Sequence, residues 1–164
     1  MVLMMLCLLT MFQERTTADP GVRKALEDAI QTVTEGLAAG EAEQVPVRLP
    51  TGDRGQRIDH YAELARADQR LELGRLLLEA GEAPAPLREI LSGISRSENK
   101  ALLPLVQPYL KMANPEVRAA AVLAHGKCGT TADIATIEPL LEDTNLVVRA
   151  AAQMAIDTIR ATDK

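Results

Sequence analysis

The stretches NPEVRAAAVLAHG (Asn114–Gly126) and NLVVRAAAQMAID (Asn145–Asp157) are nearly the same phrase, written twice at an offset of 31 residues. The same shift aligns Pro108 with Pro139, Leu110 with Leu141, and Val106 with Ile137 in kind. A period of a few tens of residues marks stacked supersecondary units, because one such unit cannot bury its apolar face alone. No other feature of the chain restricts its fold so tightly.

Each copy reads as a helix A (about 101–112 and 132–142), a turn, and a helix B (about 115–127 and 146–161). Asn114 and Asn145 stand where an N-cap side chain accepts from a free backbone N–H, and Pro115 takes the first helical position, where no N–H is needed. The alanine runs allow close approach of neighbouring helices. Val117/Val148, Ala121/Ala152, Ala124/Ala155 and Cys128/Ile159 recur every three or four residues, which predicts one buried stripe. Pro108 and Pro139 fall inside helix A and predict a kink there.

These residues resemble the short HEAT-like repeats of the phycobilin-lyase type, an armadillo-like superhelix. The pattern is an acidic residue, Val-Arg, paired Ala, Ala-Leu-Gly and an aliphatic-Gly ending. The first copy carries it as Val117-Arg118, Ala120-Ala121, Ala124-His125-Gly126 and Cys128-Gly129, and the second as Asp143, Val148-Arg149, Ala151-Ala152, Ala155-Ile156 and Ile159. His125 stands in place of Leu, Asp157 in place of Gly, and Met112 where the first acid belongs. The resemblance is clearest over 101–161. It implies an all-α solenoid of stacked helical hairpins, with structural ion pairs along the stack. Asp143 is the expected partner of Arg149, leaving Arg118 the freer of the two arginines.

Composition agrees with an all-α chain: 47% of residues are hydrophobic, mostly Leu, Ala, Val and Ile, with one Phe, two Tyr and no Trp. Residues 1–100 hold 12 basic and 16 acidic side chains, and 101–164 hold six and seven, so neither part has the basic footprint of a phosphate binder. No nucleic-acid partner is expected. Cys7 and Cys128 lie far apart without metal-ligand spacing, which argues against a disulfide framework or a zinc site.

The chain divides into an apolar N-terminal segment (1–18), a helix and loop (19–56), and helical repeats (57–164). The first twelve residues have Thr10 as their one polar member and are too few for a stable membrane span. They form either a packed helix, in a cytoplasmic protein, or the apolar part of an export or tethering signal. Asp19-Pro20 opens a helix toward Gly40, and the Pro- and Gly-containing stretch 41–56 reads as a loop. A helical pattern from Arg57 to Ala80 breaks near Asp68, and Gly81 with Pro84 and Pro86 ends it. A short helix covers roughly Leu87 to Ile94. Leu71, Gly74, Leu76 and Leu77 faintly echo helix B.

Candidates for catalysis are poor. His125, on the buried side of helix B, is expected as a hydrogen-bonded core residue. His60 has Asp59 and Glu63 beside it but no second His/Glu motif to complete a metal site. Cys128 fits a small core residue, Gly126 and Gly129 a helix stop, and Thr130-Thr131 the next cap. No enzyme activity and no cofactor or metal is expected. The expected function is a protein-protein interaction scaffold; the alternative is an accessory subunit of a tetrapyrrole lyase or other multi-subunit enzyme. Aligning the two B helices leaves Leu123 and Met154 outward, flanked by Val122 and Gln153 and rimmed by Glu116, Lys127, Asp157 and Arg118. Such a stripe suits another protein, or a second copy of the chain.

Overall fold

The computed structural model describes residues 49–162, together with Gly21, Lys24, Ala25, Asp28 and Gln31, which are helical. The apolar run of residues 1–12, the Asp19-Pro20 opening and the loop over 41–48 lie outside the described residues.

Every regular element among the described residues is helical. Helix α1 (Arg54–Arg66) opens three residues earlier than its apolar pattern predicts, because Asp53 and Gln56 form a reciprocal capping box. Asp68, at φ 56°, separates it from α2 (Arg70–Ala80). Gly81, also at φ 56°, makes the following turn. Helix α3 spans Pro84–Ser97. Pro84 therefore opens a helix at its first position, where the sequence pattern had it closing the preceding one.

The first helix A is not one kinked helix. It is three short pieces: a 3-10 turn (Lys100–Leu102), α4 (Leu103–Val106) and a second 3-10 turn (Gln107–Lys111). Its copy repeats them as Thr131–Asp133, α6 (Ile134–Ile137) and Glu138–Glu142. The α-turn gives way one residue before Pro108 and one before Pro139, as each ring has no N–H and crowds the preceding turn. The B helices are α5 (Pro115–Cys128) and α7 (Leu146–Thr162). Asn114 Oδ1 accepts from Glu116 N (2.9 Å) and Val117 N (3.2 Å), and Asn145 Oδ1 from Val147 N (2.9 Å).

Helices α1, α3, α5 and α7 pack side by side in that order, each against the next, while α2 and the two broken A segments fill the other layer. The chain is thus an all-α solenoid. Helix α2 occupies an A position and α3 is the B helix of that unit, so the echo of helix B around Leu71–Leu77 falls in the A layer. One core runs through both layers, from Leu73, Leu76 and Leu77 through Leu87, Ile90 and Ile94 to Val117, Ala121, Val148 and Ile159. Glycine sets two of the crossings. A Cβ on Gly93 would lie 2.4 Å from Tyr61 Cβ in α1, and one on Gly126 would lie 2.5 Å from Ala155 Cβ in α7. Gly126 is therefore a contact point inside α5 and not a helix stop; Gly129 caps that helix, donating its N–H to His125 O at 2.7 Å. Thr130 follows with a capping box to Asp133.

Candidate partner surface

The large apolar residues left exposed among the described residues are Leu123 (38%), Leu146 (68%), Val147 (61%) and Met154 (61%). Leu123 and Met154 occupy the same register on α5 and α7. Val147 lies two turns before Met154, on the same face of the helix. Leu123 has Glu116 and Lys127 on its face of α5, both exposed; Glu116 is paired with Arg88, and Lys127 Nζ donates to Glu98 Oε1 at 3.1 Å. Two charged bridges between α3 and α5 therefore flank the apolar residue.

Val122 does not belong to this surface. It is fully buried, while its repeat equivalent Gln153 is exposed and donates to Asp157 at 3.0 Å. The same position has two environments because α5 has a B helix on both sides and α7 on one, among the described residues. In α5 the line of Val122 and Gly126 is the contact with α7; in α7 the matching line, Gln153 and Asp157, meets solvent and is polar.

Arg118 is likewise not a free cation. Its Nε and Nη2 donate to the two oxygens of Asp143 at 3.0 and 2.9 Å, and its Nη1 donates to the carbonyls of Met112 (2.7 Å) and Ala113 (2.8 Å). Asp143 thus serves the arginine of the preceding unit rather than Arg149. Arg149 Nη1 holds only the carbonyls of Asp143 (2.8 Å) and Thr144 (3.2 Å). The Arg118 fork, joined by the backbone N–H of Asn145, holds the Asp143 carboxyl below the usual carboxylate range. The repeat pattern places an acid for Arg118 near Met112, in its own unit; the stack supplies it from the next unit as Asp143. Arg57 does the same further back: Nε and Nη2 take both oxygens of Glu89 at 2.7 Å, and Nη1 takes Gly52 O. That fork lowers the Glu89 pKa, outweighing the burial that opposes it. The signal for it was present as Arg57, Arg88, Arg118 and Arg149, spaced by 31, 30 and 31 residues.

Two of the remaining titratable candidates, His125 and Cys128, are buried. His125 is fully buried, yet neither ring nitrogen has a hydrogen-bond partner among the described residues, contrary to expectation. Burial pushes its pKa down, partly opposed by the charge of Asp133. Burial pushes the Cys128 thiol up to about 12, so it carries no thiolate near neutrality; its Sγ faces Ile94 O at 3.8 Å. Asp59 beside His60 is engaged by Arg96. Among the described residues no three His, Cys, Asp or Glu side chains gather to hold a metal, and no helix is long and apolar enough to cross a membrane.

Residues 74–157, from the middle of α2 to the fourth turn of α7, match the family model for HEAT repeats. The match is to HEAT repeats at large and does not extend to the phycobilin-lyase type. No curated protein and no solved structure matches the chain.

Proposed function

This chain belongs to the HEAT-repeat family, and we propose that it is a non-catalytic scaffold that binds another protein through the exposed face of its B helices. The observation that carries this reading is the exposure of Leu123 and Met154 at equivalent positions on adjacent helices, where Val147 extends the apolar surface. Burying a side chain of this size contributes about 1.5–3 kcal/mol, so a few such groups suffice to anchor a partner inside a polar rim. Glu116 and Lys127 supply that rim on α5, and Gln153 and Asp157 lie beside it on α7.

The double variant Leu123→Glu/Met154→Glu tests the proposal. Affinity purification from the native host, with mass spectrometry of what accompanies each form, should show a stoichiometric protein with the wild type and not with the variant. Circular dichroism and melting of the variant should be unchanged. Loss of helical signal would place both residues in the core and end the proposal. Light scattering distinguishes a second copy of the chain from a different protein as the occupant.

A further inference from the structure

We propose that the open start of α7 is a second docking point, and that its occupant is an acidic segment of a partner polypeptide whose carboxylate completes the fork of Arg149. The arginines at the starts of the four B helices form a ladder. Arg57 takes Glu89 from α3, Arg88 takes Glu116 from α5, and Arg118 takes Asp143 from the turn before α7. Each acid comes from the unit that follows. Arg149 is held as Arg118 is, with Nη1 on the carbonyls six and five residues earlier. That anchoring presents its Nε and Nη2 edge in the attitude that binds Asp143 in the preceding unit. Among the described residues no carboxylate meets that edge.

A planar fork with two aligned donors suits a carboxylate, and the equivalent forks of Arg57 and Arg118 each hold one, Glu89 and Asp143. Beside it stand Leu146 and Val147, both more than half exposed, where the preceding unit has Pro115 and Glu116. The occupant must therefore carry an Asp or Glu next to aliphatic side chains. It is also short. Further along α7, Asp157 stands where Gly126 allows α7 to press against α5, and Gln153 stands where Val122 is buried. A helix cannot lie along the whole of α7 as closely as α7 lies on α5. The contact is confined to the first two turns; it shares Val147 with the B-helix face but includes neither Leu123 nor Met154.

The test uses the full-length chain, labelled with ¹⁵N, and a synthetic peptide EPLLEDTNLV. This is the protein's own sequence over residues 138–147, which in place supplies the acid to Arg118. At low salt the peptide should shift the Arg149 Nε–H resonance and the backbone amides over 146–150 in a saturable way. Exchanging its Asp for Asn should weaken binding about tenfold or more, and Arg149→Lys, which keeps the charge but loses the fork, should do the same. The Leu123→Glu/Met154→Glu variant should bind the peptide as the wild type does, so failure here is distinct from failure of the B-helix face. Equal binding of the Asn peptide, an Arg149→Lys variant that binds unchanged, shifts confined to Leu123 and Met154, or no shift at millimolar peptide would each overturn the proposal.

Discussion

Replacing Gly126 by alanine should destabilise the protein, although alanine is the better helix former. The gain in helix propensity is about 1 kcal/mol. Against it, the new Cβ would lie 2.5 Å from Ala155 Cβ and 2.6 Å from Ala155 Cα. Carbon atoms rest about 3.5–4.0 Å apart, so α5 and α7 must part by about 1 Å at this crossing. Ala155 has no rotamer through which to yield, and one of the atoms met is backbone. Separation also loosens Val122, Ala152 and Ala155, all buried beside the crossing. Overpacking of this kind costs about 1–3 kcal/mol before the lost contacts are added, leaving a net loss of about 1–2 kcal/mol and a fall of about 2–8 °C in Tm. Thermal and urea melts followed by circular dichroism measure it. Asp157→Ala is the control, made at the equivalent but exposed position of α7; it should change stability by less than about 0.5 kcal/mol. A Gly126→Ala protein as stable as the wild type, or more so, would refute the close α5–α7 crossing.

Two further predictions concern protons. Burial holds His125 neutral when folded, whereas an unfolded histidine takes a proton near pH 6.5. Its contribution is therefore complete above about pH 6.5 and is lost as the pH falls, by at most about 1.4 kcal/mol per unit. His125→Leu should raise the urea midpoint at pH 7 and flatten its dependence between about pH 7.5 and 5.5; an unchanged dependence would mean that another group titrates. Glu89 and Asp143 are held below the ordinary carboxylate range by Arg57 and Arg118, so their stabilisation is complete above about pH 4 and lost as pH falls through their lowered values. Asp143→Asn should cost about 1–2 kcal/mol at pH 7 and proportionally less near pH 3; equal cost at both would contradict the ion pair.

The B helices of residues 101–161 were legible because their signals are local. Asn114 and Asn145 cap through their own side chains, and the alanine runs mark close-packed helices wherever they occur. The preceding unit was not legible in the same way: Leu87-Arg88 stands for Val117-Arg118, but no alanine run follows it, and Pro84 opens α3 without a capping side chain. What was misread depends on stacking order rather than on helical phase. Val122 and Gln153 share a phase, yet among the described residues one has a neighbouring helix and the other has none. Arg118 lacks an acid in its own copy and finds one in the next. Gly126 looks like a stop when read along the chain, and only the position of Ala155 reveals it as a crossing. His125 shows that a buried polar group can stand unpaired where the pattern had suggested a partner.

Solvent access at Leu123 and Met154 decides whether the B helices present an open apolar face. Cysteine placed singly at each position, in a full-length chain carrying Cys7→Ser, would be labelled with a maleimide under native conditions, with the buried Cys128 as an internal standard. Both new thiols should react at the rate of a free peptide thiol while Cys128 reacts only on unfolding. Protection of Leu123→Cys and Met154→Cys to the level of Cys128 would show that another part of the chain covers the face, and would contradict the account.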